Sequence, residues 1–185
     1  MRLVVGITGA SGMIYAERLL RFLSTTEHTV GLIVSAHAHE VNEQERGMDF
    51  AAFGFPVYAD TAADVPSLSG SQRYDGAAIV PCSMATLGRI ASGAAETAIA
   101  RTADVFLKER RPLVLVVRES PYSLIHIRNM EQVTLAGAIV LPASPGVYTK
   151  PKTIEALADA IVARVLDHLG VEHTLSPPWT PPQGR

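Results

Sequence analysis

The chain has 185 residues, with 16 Lys and Arg against 18 Asp and Glu, 48% hydrophobic residues and a single cysteine. That length suffices for one domain with its own core, and the near-neutral charge, without a basic run, argues against nucleic acid or an anionic membrane as partner. No apolar stretch approaches the roughly 20 residues of a membrane span, the N-terminus lacks a signal pattern, and lone Cys82 has no internal disulfide partner, so a cytoplasmic protein is expected.

The first strand, Arg2-Leu3-Val4-Val5, enters the glycine-rich turn Gly6-Ile7-Thr8-Gly9-Ala10-Ser11-Gly12. Ala16, Leu19, Leu20 and Leu23 then follow helical spacing. Glycines allow close backbone approach, and the amides at a helix start face an anion, so this turn reads as a phosphate site or as a plain tight turn. Ser11 is placed to cap the helix or to bond a ligand. The spacing is not that of the dinucleotide fingerprint G-x-G-x-x-G.

A second buried strand, Thr29 to Val34, ends at Ser35, and a short helix of about Ala36 to Gln44 follows. His37 and His39 are two positions apart and do not share a helix face, which argues against a metal site there. Residues 46–76 are irregular, broken by Gly47, Gly54, Pro56 and Pro66, and contain Ser67-Leu68-Ser69-Gly70-Ser71. The third strand, Ala77 to Val80, runs into Pro81-Cys82-Ser83-Met84-Ala85-Thr86-Leu87-Gly88, where Ser83 and Thr86 mark another capped helix start. Arg101 to Arg111 is a charged helix stopped by Pro112.

Leu113 to Val117 is the clearest buried parallel strand, and it ends in two charges, Arg118 and Glu119. Charge at the carboxyl end of a central strand favours a site role. The helix begun at Pro121 is expected to turn Leu124, Ile127 and Val133 or Leu135 toward the core. A last strand, Ala138 to Pro142, leads through a Pro/Gly-rich connection in which Tyr148 either plugs the core or lines a pocket. Ile154, Leu157, Ile161, Val165 and Leu169 give a final amphipathic helix, with Arg164 on its other side, ending at Gly170. The tail from residue 171 to 185 is proline-rich, and its Trp179 is expected to dock on a neighbour or a site rim.

Strands alternate with helices throughout, which predicts an α/β fold: an open, mostly parallel, Rossmann-like or flavodoxin-like sheet with helices on both faces. Ser11, Ser35 and Arg118-Glu119 should converge on one sheet edge, where ligands of such folds sit.

The glycine turn, Val34-Ser35, Ser69-Gly70-Ser71, the Pro81 to Gly88 segment, the block from Ala103-Asp104 through Lys108-Glu109-Arg110-Arg111-Pro112 to Arg118-Glu119, and Pro145-Gly146-Val147-Tyr148 together resemble the UbiX-type flavin prenyltransferases. The resemblance covers about Leu3 to Gly170 and makes residues 1–170 the flavoprotein domain. It implies an enzyme that joins dimethylallyl phosphate to reduced FMN at N5, closes a fourth ring at C6, and passes prenylated FMN to a UbiD-type decarboxylase. It further implies that Gly9, Ala10, Ser11, Ser35, Ser83, Met84, Ala85, Thr86 and Arg118 bind FMN. Tyr148 and Arg164, with Lys108, Arg101, Ser69 and Gly70, would serve dimethylallyl phosphate, and Glu45, Glu119 and Ser11 would be catalytic. A homododecamer with sites between subunits is expected, and no metal.

These residue types suit the chemistry. A leaving phosphate needs cations and a phenol, a carboxyl such as Glu119 can protonate it only with a raised pKa, and Glu45 is a candidate base for later proton transfers. The flavin itself is the nucleophile, which leaves Cys82 to packing. Two departures from the family pattern stand out: Glu96-Thr97-Ala98, where relatives often carry an Asx-Asn-Leu run, and residues 46–66. The related flavin-dependent cysteine decarboxylases fit less well, because their histidine before the third-strand motif is missing. A non-catalytic FMN-binding carrier subunit of an aromatic acid decarboxylase is the alternative.

Overall fold

The structure is a computed structural model in which residues 1–176 are described, so the expectation for Trp179 lies outside the described residues. Strands β1 (Arg2–Ile7), β2 (Thr29–Val34), β3 (Val57–Ala59), β4 (Gly76–Cys82), β5 (Leu113–Val117) and β6 (Ile139–Pro142) form one parallel sheet in the order β3-β2-β1-β4-β5-β6. Helices α1 (Met13–Leu23), α2 (Ala36–Glu45), α3 (Met84–Ser92), α4 (Ala98–Lys108), α5 (Leu124–Ala136) and α6 (Ile154–Leu169) complete the α/β arrangement.

The central strands are apolar throughout because both of their faces are covered. Leu3, Val5 and Ile7 of β1 point to a core with Leu19, Leu20 and Leu23 of α1 and Val162, Val165 and Leu166 of α6. Val4 points to the opposite core, with Leu87 of α3 and Ile99 and Phe106 of α4. The strand order reverses between β1 and β4, and the carboxyl ends of those two strands form the crevice where doubly wound sheets hold ligands.

Three expectations are corrected. The irregular stretch contains β3, a three-residue strand on the sheet edge, too short for alternation to reveal. Arg101 is not the start of its helix: α4 begins at Ala98, capped by Thr97, whose hydroxyl accepts from the Ala100 amide at 3.3 Å. Leu124, Ile127 and Leu135 do not reach the core; they are 61%, 50% and 75% exposed, and Val133 is the fully buried residue of α5. Ile154, at the start of α6, is exposed as well.

Candidate active site

The site grows from the junction of β1 and β4. The peptide bond between Val80 and Pro81 is cis, and Pro81, lacking an N–H, breaks the β4–β5 register between Ile79 and Cys82. Its carbonyl accepts instead from the Thr8 amide at 3.2 Å and the Thr8 hydroxyl at 2.8 Å. The same hydroxyl accepts from the Ser83 amide at 2.7 Å. Thr8 is buried and thereby locks two strand ends across the crevice. Sequence reading passed over it, and its only signal was a polar residue inside an otherwise apolar and glycine stretch.

Two glycines shape the turn that follows. A Cβ on Gly9 would lie 2.4 Å from the His37 Cβ, so glycine is what lets the first turn of α2 pack against the loop. Gly12, with φ of 112°, is the N-cap of α1 and supplies no side-chain cap. Ser11 does not cap this helix. The cap comes from the far end of α2, where Glu45 Oε2 accepts from the amides of Gly12 and Met13, both at 2.9 Å. Burial pushes the Glu45 pKa up, but the Ser11 hydroxyl, the two amides and the Arg118 charge outweigh it, so the carboxyl sits below its ordinary value. The first helix start therefore already holds an anion, the Glu45 carboxylate. The end of α2 is pinned in turn by Arg46, which pairs with buried Glu17 of α1 at 2.5 Å.

Arg118, at the end of β5, donates from Nε to the Ser11 carbonyl at 3.1 Å. Beside it the Tyr15 phenol is pushed up by burial, with the Arg118 charge opposing. Glu119 is half-buried and accepts from the Ser120 amide at 2.9 Å. Ser35 caps α2, accepting from Ala38 at 3.2 Å. Ser83 caps α3, accepting from the Thr86 amide at 3.3 Å and donating to the Thr86 hydroxyl at 3.1 Å. The Met84 and Ala85 amides stand in the first turn, out of reach of any carbonyl of their own helix. Ser11, Ser35 and Arg118-Glu119 thus share the carboxyl edge of the sheet, as expected, with Gly9, Ala10, Glu45 and the Ser83 to Thr86 turn beside them.

The other expected residues lie elsewhere. Tyr148, 65% exposed, lines a cleft of about 1420 Å³ together with Ser144, Gly146, Arg164, Asp167 and His173, and does not plug the core. Neither Ser11, Glu45 nor Arg118 lines this cleft. Lys108 pairs with Glu109, and Arg101 with Asp104 at 3.0 Å. The Gly70 carbonyl accepts from Arg111 at 2.8 Å, and the Ser69 and Ser71 hydroxyls bond each other at 2.8 Å. Helix α4 starts at the carboxyl edge, where the Asp60 carboxylate accepts from the Ile99 amide at 2.7 Å. Its 11 residues carry it about 16 Å toward the other edge. Lys108, at the far end of α4, is thus carried away from that edge, while the cleft of Tyr148 and Arg164 opens at the end of β6, beside the end of β5 that leads to Arg118. Of the expected substrate set, Tyr148 and Arg164 line this cleft, and Lys108, Arg101, Ser69 and Gly70 do not.

The flavoprotein family profile matches residues 1–166. The chain is 43% identical to flavin prenyltransferase UbiX of Methanothermobacter thermautotrophicus, covering 96% of this chain and 95% of that one. The chain belongs to the UbiX flavin prenyltransferase family. Its backbone superposes with a TM-score of 0.94 on the crystal structure of AnUbiX (PadA1) in complex with FMN and dimethylallyl pyrophosphate, at 40% identity and 97% coverage of both chains. The TM-score is 0.92 against a dodecameric FMN-dependent Ubix-like decarboxylase from Escherichia coli O157:H7, at 38% identity, covering 98% of this chain and 100% of that one.

Against that family background, the departure at Glu96-Thr97-Ala98 is structurally mild, because Thr97 and Asp60 together provide an ordinary capped start for α4. Burial raises the Asp60 pKa, against the Ile99 amide, Thr97 and Arg89. Cys82 is fully buried, and burial pushes its thiol up to about 12, which suits packing and not nucleophilic attack. Among the described residues no cluster of His, Cys, Asp and Glu is placed to hold a metal ion, and no helix is long and apolar enough to cross a membrane.

Proposed function

We propose that this protein transfers the dimethylallyl group of dimethylallyl phosphate to N5 of reduced FMN, closes the new ring at C6, and supplies prenylated FMN to a UbiD-type decarboxylase. The observation that carries the reading is the fixed Glu45–Ser11–Arg118 corner at the sheet's switch point, in a chain that matches a relative holding FMN and dimethylallyl pyrophosphate over 97% of its length. The flavin is the nucleophile, so the protein's task is to hold it, stabilise the departing phosphate and move protons.

In this reading Gly9, Ala10, Ser11, Ser35, the Ser83 to Thr86 turn and Arg118 bind FMN. Because Glu45 fills the start of α1, the start of α3, with the Met84 and Ala85 amides, is the better place for the flavin phosphate. Ring closure consumes the prenyl double bond: its inner carbon takes a proton from the released phosphate or from water, and its outer carbon bonds C6. Glu45, an anion at neutral pH with the Ser11 hydroxyl beside it, accepts the proton that C6 loses. Arg164, Tyr148, Lys108 and Arg101, with Ser69 and Gly70, receive the allylic phosphate, and Glu119 protonates it as the C–O electron pair leaves with the phosphate. The complete site forms between subunits, and the dodecameric state of the Escherichia coli relative supports such an assembly here.

Mass spectrometry of the flavin after anaerobic incubation with reduced FMN and dimethylallyl phosphate tests the reading. Gain of one C5 prenyl unit is the expected result. Bound but unmodified FMN would refute it and leave a flavin carrier.

A further inference from the structure

The Asp167 carboxylate stands between two groups. It accepts from Arg164 Nη1 through Oδ2 at 2.6 Å and bonds His173 Nε2 through Oδ1 at 3.0 Å. An ionised carboxylate only accepts, so Nε2 carries the proton of this bond. His173 comes from the segment after α6, where Gly170, with φ of 70°, ends the helix and the chain turns back. Its side chain is 8% exposed and packs edge-to-face on Phe22 of α1, the centroids 6.5 Å apart.

The other ring nitrogen, Nδ1, is buried and has no hydrogen-bond partner among the described residues. Burying a polar atom unpaired costs stability. In packing terms alone a phenylalanine would suit this position better, so what the histidine contributes is its Nε2 bond to Asp167. Asp167, three residues after Arg164 on α6, restrains a long side chain that would otherwise sample many rotamers. Arg164, Asp167 and His173 line the same cleft as Tyr148. The bond to Asp167 uses Nη1, and a guanidinium has five N–H groups in a planar fork, so its other edge is available to a phosphate.

We propose that His173 and Asp167 are positioning residues for the allylic phosphate: His173 fixes the Asp167 carboxylate, which holds the Arg164 guanidinium in the cleft beside Tyr148. This rests on the reading of Arg164 as a phosphate ligand. Neither residue touches the substrate, and both act through Arg164.

The test is steady-state prenylation by the full-length protein at saturating reduced FMN, with dimethylallyl phosphate varied. His173→Phe keeps the ring and loses the donor; it should raise KM about fivefold with a much smaller change in kcat. His173→Gln, whose terminal amide N–H reaches a similar position, should return KM toward the parent value. Asp167→Asn should raise KM like His173→Phe. Thermal stability separates positioning from packing: His173→Phe should melt at or above the parent temperature, since it removes the unpaired nitrogen. An unchanged KM in His173→Phe and Asp167→Asn, while Arg164→Ala is impaired, would overturn the proposal alone. A raised KM that tracks a lowered melting temperature and is not restored by Gln would also overturn it. If Arg164→Ala itself leaves KM unchanged, it is the assignment of the phosphate site that fails.

Discussion

Replacing Glu45 by alanine removes the acceptor of two amide hydrogen bonds, from Gly12 and Met13 at 2.9 Å each, at a helix whose N-cap glycine offers no side chain. Loss of a helix cap costs about 0.5–2 kcal/mol, and an anion at a helix start adds about 0.3–1 kcal/mol at an exposed position. Because Glu45 is largely exposed, solvent screening holds the total to about 1–2 kcal/mol. For a chain of this size that corresponds to a melting temperature lower by about 2–8 °C. Glu45→Gln keeps an acceptor but loses the charge, and should fall between alanine and the parent. The sign of the pH dependence follows from the lowered pKa. A carboxylate whose folded pKa lies below its unfolded value contributes fully above the ordinary value of 4.5, and the contribution fades as pH falls through the folded pKa. Melting curves of the parent and both variants at pH 7 and at stepwise lower pH are the assay. The gap between parent and Glu45→Ala should be widest at pH 7 and close in acid. Equal melting temperatures at pH 7, or a gap that persists at the lowest pH, would refute the capping role.

Thr8→Val keeps the shape but removes the hydroxyl that bridges the Pro81 carbonyl and the Ser83 amide; it should cost about 1–3 kcal/mol in denaturant unfolding. Gly9→Ala places a Cβ 2.4 Å from the His37 Cβ, so α2 must shift, and FMN affinity measured by fluorescence quenching should fall at least about tenfold. Cys82, with a thiol pushed up to about 12 inside the core, should resist iodoacetamide at pH 8 in the native protein and be alkylated promptly after unfolding.

The sequence was most legible where burial is complete. β2 and β5 run from Thr29 to Val34 and Leu113 to Val117 as read, because strands covered on both faces must be apolar without interruption. The cap of α3 was legible too, since Ser83 bonds an amide only three residues ahead. The cap of α1 was not, because its acceptor, Glu45, is supplied from 33 positions away, and no local pattern encodes that pairing. For the same reason Thr8 escaped notice: its partners, Pro81 and Ser83, lie in another strand end. On α5 the helical period of Leu124, Ile127 and Leu135 marks an apolar surface but does not say whether the chain's own core or another subunit covers it.

The division of the site has a consequence in assemblies. Arg101, Lys108 and Arg164 each hold an acid of their own, Asp104, Glu109 and Asp167, in pairs that are largely exposed. Such pairs are worth at most about 1 kcal/mol, so a phosphate dianion can displace Asp104 and Glu109 from Arg101 and Lys108, whereas Arg164 keeps Asp167 on one edge of its guanidinium and offers the other. In the proposed intersubunit site, Glu45 of one chain meets the Arg164 of a neighbour. Co-expression of Glu45→Ala and Arg164→Ala, each expected to be nearly inactive alone, should then restore activity. With random mixing at equal amounts, about a quarter of the shared sites receive both intact residues, so about a quarter of the parent rate should return. A site built within one chain would restore nothing, because every chain carries one lesion. Native mass spectrometry establishes whether mixed oligomers are present, and mixed oligomers without activity would refute the shared site.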